Sequence, residues 1–134
     1  MAHVITGLQV GGAETALAKL LATLDPAEFP SFVVSLKSGG TMAQRLRDRG
    51  VEVIDLALSP ATLAFSAARL VDLLRRREID VVQCWLHHAD LFGGLAARRA
   101  GVRGVAWGVR ASWLDPSGTR IGTRAVMRDR KSVV

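Results

Sequence analysis

Short apolar runs rich in Val, Ile and Leu alternate along the chain with longer segments in which apolar residues recur every three or four positions. The short runs have the length of strands and the longer segments that of helices. The predicted strands cover residues 3–6, 32–36, 51–56, 80–85 and 104–109, and the predicted helices end near residues 24, 49, 74 and 100. This alternation predicts an α/β fold with a doubly wound, mostly parallel, Rossmann-like sheet.

The composition is that of one globular domain. The chain has 134 residues, of which 49% are hydrophobic and 22% charged, and no stretch has the composition of a linker. Its apolar stretches are too short to span a membrane, and its first residues lack the basic region of a secretory signal. The single cysteine, Cys84, excludes an internal disulfide and a cysteine-cluster metal site. We therefore expect a cytoplasmic location.

The net charge of +6 raises the question of nucleic-acid binding. The arginines at residues 75–77 and 98–99 fall at the ends of predicted helices, where cations complement the helix dipole. The chain has no tyrosine and no nucleic-acid-binding motif accompanies these arginines. We expect first that these arginines are solvated at helix ends. Contact with an anionic membrane surface is the second interpretation, and we expect no nucleic-acid partner.

The loops that follow the strands are the expected ligand sites, because open parallel sheets bind ligands outside the carboxyl ends of their strands. The first loop carries Gly11 and Gly12, which permit close approach of a phosphate to a helix N-terminus. The spacing matches neither a dinucleotide-binding nor a P-loop motif. Two interpretations stay open: a phosphate-binding loop, and a tight strand-to-helix turn with Glu14 complementing the helix dipole.

The fourth loop carries His87, His88 and Asp90. Adjacent histidines point in different directions and make a poor metal pair, whereas one histidine at a strand end can bind a substrate hydroxyl or transfer a proton. The alternative is that Asp90 and one histidine only cap the next helix. In the fifth loop, Arg110 and Ser112 offer a cation and a hydroxyl at the same edge, either for an anionic substrate or in a rim salt bridge.

Four segments in register resemble the N-terminal domain of GT-B glycosyltransferases, and more narrowly the retaining family-four type. They read HVITGLQVGGAE (residues 3–14), FVVSLKSGG (32–40), DVVQCWLHHADLFGGLAARRAGV (80–102) and WGVRAS (107–112). The resemblance implies one half of a GT-B architecture, which transfers a sugar from a nucleotide sugar to a glycan or lipid-linked acceptor, with retention and without a metal or other cofactor.

The resemblance also implies roles for individual residues. Gly11 and Gly12 would lie against the donor diphosphate, and His88 is the candidate catalytic residue. The acceptor edge would comprise His87, Asp90, Arg110 and Ser112. Many relatives carry a histidine where this chain has Trp85, which is a departure from the family pattern.

Family-four enzymes have a C-terminal domain that binds the nucleotide, and we expect this partner domain to be missing here, leaving a fragment inactive alone. Residues 129–134 (DRKSVV) are what the sequencing-adapter string GATCGGAAGAGCGTCGTG encodes, so we hypothesise a non-native tail after a domain at residues 1–128. Two other functions stay open: a stand-alone Rossmann-like ligand-binding module, and half of a nucleotide-sugar epimerase.

Overall fold

A computed structural model describes residues 1–108, which form five strands and four helices in strict alternation. The strands are β1 (Ala2–Ile5), β2 (Phe32–Ser35), β3 (Val53–Asp55), β4 (Val81–Trp85) and β5 (Gly104–Gly108). The helices are α1 (Gly12–Thr23), α2 (Thr41–Asp48), α3 (Leu63–Arg76) and α4 (His87–Ala100). Every predicted element is present, and the boundaries differ from the predicted ones by one or two residues.

All neighbouring strands run parallel, in the spatial order β3-β2-β1-β4-β5. Apolar residues of α1 and α2 pack on one face of the sheet, and those of α3 and α4 on the other. The predicted doubly wound, Rossmann-like fold is therefore confirmed. The order reverses at β1, because the chain first builds outward through β2 and β3 and then crosses to β4.

The central strand β1 is buried along its whole length. Alternate residues supply the two apolar layers, with Ala2 and Val4 on the α3–α4 face and Ile5 on the α1–α2 face. Helix α4 comes very close to the sheet at Gly93, where a Cβ atom would lie 2.9 Å from the Sγ of Cys84 and 3.1 Å from the Cγ1 of Val4. Glycine is needed there because the sheet leaves no room for a methyl group.

The helix ends explain much of the positive charge. Arg75 and Arg76 lie in the last turn of α3, and Arg98 and Arg99 in the last turn of α4. Gly101 ends α4 in the left-handed conformation, with φ of 77°. The prediction that these arginines sit at helix ends is confirmed. None of the helices within residues 1–108 combines the length and the apolar character needed to cross a membrane.

The edge at the amino ends of the strands is held by Arg77, which follows α3. Its guanidinium donates two hydrogen bonds of 2.7 Å to the carboxylate of Glu52 and stacks 4.6 Å above the ring of Phe32. The hydrogen bonds from Arg77 lower the pKa of Glu52. This contact ties the end of α3 to the starts of β2 and β3, at the edge opposite the candidate site.

Candidate functional site

The site lies where the strand order reverses, between β1 and β4. Ile5 and Trp85 end these two strands in register with each other. After Ile5 the chain leads to α1 on one face of the sheet, and after Trp85 it leads to α4 on the other. The two connections therefore diverge and leave a crevice at the carboxyl edge, which is the usual ligand site of an open α/β sheet.

The first connection ends in an uncapped helix. Gly11 is the N-cap of α1 and has no side chain to bond the amides of the first turn. The hydroxyl and amide of Thr15 donate to the Gly11 carbonyl oxygen, at 2.7 and 3.0 Å. The amides of the first turn, starting at Gly12, are thus directed at the crevice with the positive end of the helix dipole. This arrangement suits an anionic group.

The conformation of the two glycines bears on the two interpretations of the loop. Gly11 is extended, with φ of −166°, and neither Gly11 nor Gly12 has a positive φ. A Cβ atom on Gly12 would have no neighbour within 4 Å, while one on Gly11 would meet only the flexible carboxylate of Glu14. The turn itself therefore does not require glycine at position 12. Open space beside an uncapped helix favours the phosphate-binding interpretation.

The loop after β2, which carries Gly39 and Gly40, packs against the loop after β1. Gly40, with φ of 108°, lies so close to the Leu8 carbonyl that any Cβ atom would overlap it. The same carbonyl accepts a 3.0 Å hydrogen bond from the Met42 amide, at the start of α2. Leu8 is itself buried in the apolar layer below. The sequence does not reveal this buttressing contact, because it joins loops that follow two different strands.

The second side of the crevice is the short turn between β4 and α4. Leu86 is the N-cap of α4, His87 and His88 are its first residues, and no side-chain bond caps the helix. His87 is half-buried and His88 exposed, whereas Asp90 lies buried one turn into the helix. The interpretation in which Asp90 and one histidine serve as N-terminal cap is wrong, because Leu86 occupies the cap position.

Two further polar groups, which the sequence does not point to, lie at this edge and below it. The Thr6 hydroxyl directly follows β1; its Oγ1 atom is buried and has no hydrogen-bond partner within residues 1–108. The imidazole of His3 is fully buried and accepts a hydrogen bond of 3.3 Å from the Trp85 indole nitrogen. Burial lowers the pKa of His3 to about 4, so its ring is neutral at physiological pH.

Cys84 is a packing residue, as its position on an apolar strand predicts. It is fully buried, and burial raises the pKa of its thiol to about 12. A thiol that stays protonated is not a nucleophile.

Arg110, Ser112 and residues 129–134 lie outside the described residues, so the roles predicted for them stay predictions. Within residues 1–108, no group of three or more His, Cys, Asp or Glu side chains is arranged to hold a metal ion. The structure thus places Gly11, Gly12, His87 and His88 in the connections that follow the adjacent strands β1 and β4, and buries Asp90 in the first turn of α4.

Solved structures share this fold at low sequence identity. HepE of Anabaena in complex with UDP is 20% identical, with a TM-score of 0.75 over 93% of this chain and 33% of that one. HepE with UDP and glucose is 19% identical, with a TM-score of 0.72 over 96% of this chain and 35% of that one. MurG of Acinetobacter baumannii is 15% identical, with a TM-score of 0.61 over 95% of this chain and 38% of that one. The chain spans about a third of the length of these proteins.

No curated protein sequence matches the chain significantly. Residues 10–129 match the family Glycosyltransferase Family 4. This match covers the glycine loop, the histidine turn and every helix of the fold. The chain therefore belongs to Glycosyltransferase Family 4.

Proposed function

We propose that the chain is the acceptor-side half of a glycosyltransferase that moves a sugar from a nucleotide sugar to a glycan or lipid-linked acceptor, with retention of the anomeric configuration. The observation that carries the proposal is the pair of uncapped helix N-termini, α1 and α4, on the two sides of one crevice. The family match and the UDP bound to the HepE neighbour support a nucleotide-sugar donor.

The donor diphosphate would lie at the start of α1. The open space at Gly12 lets a phosphate oxygen approach the first-turn amides, and the dipole of a helix of twelve residues stabilises its negative charge. This charge grows as the bond between the anomeric carbon and the phosphate oxygen breaks. The protein would thus stabilise the leaving group with main-chain dipoles, and we expect transfer to continue when divalent metal ions are chelated.

The acceptor would enter from the histidine side. His88 is exposed at the start of α4 and is the candidate to contact the reacting sugar or the acceptor hydroxyl, which loses its proton as the new glycosidic bond forms. His87 lies beside His88 at the same edge, and Asp90 stands behind them. Arg110 and Ser112 follow β5 in the sequence and complete the proposed acceptor edge.

The test is a transfer assay on the protein as its gene encodes it, including any further domain. A panel of α-linked UDP- and GDP-sugars is incubated with lipid and glycan acceptors, with and without EDTA, and the anomeric proton of the first product is followed by NMR. We expect an α-linked product in both conditions. A β-linked first product overturns retention, and the absence of any sugar transfer by folded protein overturns the function.

A thermal-shift experiment on the 134-residue chain distinguishes a stand-alone binding module from the acceptor-side half of a transferase. A complete module binds its nucleotide ligand tightly and gains about 3 kcal/mol at a hundredfold excess of ligand over Kd. The acceptor-side half gains little from UDP or GDP, because most nucleotide contacts belong to the other domain. The epimerase interpretation is tested in the same transfer assay, since an epimerase converts the donor sugar without needing an acceptor.

We also infer that the outer face of α3 and α4 contacts an anionic membrane surface. Three large apolar side chains are exposed on these helices: Leu63, Phe65 and Leu95. Five arginines accompany them (Arg69, Arg75, Arg76, Arg98 and Arg99), against one exposed acid, Asp72. Exposed apolar side chains and arginines on two packed helices suit contact with acidic lipid headgroups.

Vesicle flotation tests this membrane contact. Wild-type protein is expected to float with vesicles that contain phosphatidylglycerol and to remain in solution with neutral vesicles. Phe65→Ser should weaken the association, because Phe65 is the most exposed apolar side chain of the face at 71%. Phe29→Ser is the control, since Phe29 is exposed on the loop before β2, away from α3 and α4. Equal flotation with neutral vesicles would contradict the contact.

A further inference from the structure

A buried polar pair links the central strand to the end of β4. His3 is 0% exposed and Trp85 is 3% exposed, and their rings lie 6.2 Å apart between centroids. The Trp85 indole N–H donates to the Nδ1 of His3 over 3.3 Å. Because Nδ1 accepts this bond, the neutral ring must carry its proton on Nε2. The contact thus fixes both the tautomer of His3 and the orientation of the indole.

The residue after Trp85 has an unusual backbone conformation. Leu86 has φ of 73° and ψ of 159°, a combination that residues with a Cβ atom rarely adopt. Such a conformation is strained and persists only where the surrounding structure fixes it. His87 and His88 follow immediately, so this strained residue determines where the histidine turn stands relative to the crevice.

The strained turn is held on both sides. On the helix side, the Asp90 amide donates to the Leu86 carbonyl oxygen over 2.9 Å. On the strand side, Trp85 pairs with Ile5 in β1 and with Gly108 in β5, and its side chain is bonded to His3. Apolar neighbours can bury an indole, but the directional contact with His3 selects one orientation of it.

Histidine at position 3 lowers the stability of the folded chain. A β-branched apolar residue would suit the central strand better, and the Nε2 atom of His3 is buried without a hydrogen-bond partner within residues 1–108. Burial keeps the ring neutral, so Nδ1 remains an acceptor at physiological pH. A polar residue that destabilises the core and contacts a residue at the edge of a site is expected where function requires it.

We propose that His3 is a positioning residue of the transferase site: it holds the Trp85 indole, and the anchored Trp85 keeps Leu86 in the conformation that places His87 and His88 at the crevice. His3 itself is buried below the crevice and touches no substrate. The proposal rests on the proposed function for its catalytic consequence, while its structural part stands independently.

The structural part is tested by NMR on the 134-residue chain. In the wild type, long-range ¹H–¹⁵N spectra should show the Nε2–H tautomer of His3; an Nδ1–H tautomer would overturn the proposal without any variant. His3→Leu removes the acceptor at similar volume, and His3→Asn places an oxygen near the former Nδ1 position. We expect His3→Leu to shift the Trp85 indole signal and the amides of residues 86–89, and His3→Asn to restore them.

The catalytic part is tested in the gene-encoded protein. We expect His3→Leu to lower kcat by about tenfold or more with KM changed less than about threefold, and His3→Asn to recover most of the rate. Leu46→Ala, a buried truncation on α2 in the same apolar layer, controls for lost stability and should leave both kcat and the turn amides near wild type. An equal loss in Leu46→Ala, or no recovery in His3→Asn, overturns the proposal. No transfer by the wild type overturns the proposed function instead, and the NMR result still decides the structural part.

Discussion

At the scale of single residues, the local fold does not explain the residue type at positions 3 and 12. Gly12 has neither a positive φ nor a neighbour that would exclude a side chain. His3 carries a polar ring in the most buried strand of the sheet. Gly12 could be predicted as a site residue from its place in the first loop. His3 could not, because its partner Trp85 is 82 residues away and no local pattern joins them.

Gly12→Ala is expected to separate stability from activity. Alanine loses less backbone entropy on folding, so the free energy of unfolding should rise by up to about 1 kcal/mol. The added methyl group enters the space proposed for the diphosphate, so sugar transfer should fall by about tenfold or more. Gly104→Ala is the matched control at the opposite end of the sheet, where a Cβ atom makes only ordinary contacts from 3.5 Å. Urea unfolding and transfer rates measure the two effects; unchanged transfer in Gly12→Ala would contradict the diphosphate site.

His3 makes stability depend on pH. Its pKa is about 4 in the folded chain against 6.5 for the unperturbed group, mainly through burial and secondly through the Met1 amino group. The unfolded chain therefore binds the proton first, and stability is lost as pH falls from 6.5 towards 4. We expect a loss of about 2 kcal/mol between about pH 7 and about pH 5.

Denaturant unfolding at the two pH values checks this expectation. His3→Asn should abolish most of the loss, since it removes the titrating group and retains an acceptor. His88→Asn should leave the loss in place, because it retains His3. An equal pH dependence in wild type and His3→Asn would show that other groups are responsible.

At the scale of elements, the sequence predicted which segments form strands and helices because their apolar periodicities differ. The predicted end of α4 near residue 100 is confirmed, and Gly101 ends the helix there. The contacts between loops could not be predicted. The packing of Gly40 against Leu8 depends on two loops meeting in space, and each loop alone shows only a glycine-rich turn.

The adjacent glycines 39 and 40 allow this loop contact to be tested. Both have positive φ, so alanine at either position should cost about 1–2 kcal/mol through backbone strain. Only Gly40→Ala also forces a methyl group into the Leu8 carbonyl. We therefore expect Gly40→Ala to destabilise the chain clearly more than Gly39→Ala in urea unfolding, and to shift the amide signals of residues 7–12. Equal effects of the two variants would show that the second loop does not buttress the first.

At the scale of the whole molecule, the position of the crevice follows from the order of strands. Once the chain reverses at β1, the loops after β1 and β4 must flank one opening. The sequence therefore predicted which loops stand at this edge, while the roles of Gly11, Gly12, His87 and His88 in a site stay predictions. It did not predict the Thr6 hydroxyl or the His3–Trp85 pair, since those depend on burial created by packing.

The rate of sugar transfer by matched variants of the gene-encoded protein tests whether the loops after β1 and β4 form one transferase site. A nucleotide sugar labelled in the sugar is supplied with the acceptor found in the panel assay, to wild type, Gly12→Ala, His88→Ala and Gly104→Ala. We expect label transfer by wild type and Gly104→Ala, and losses of about tenfold or more in the other two variants. Wild-type rates in both Gly12→Ala and His88→Ala would contradict a site shared between the β1–α1 and β4–α4 connections.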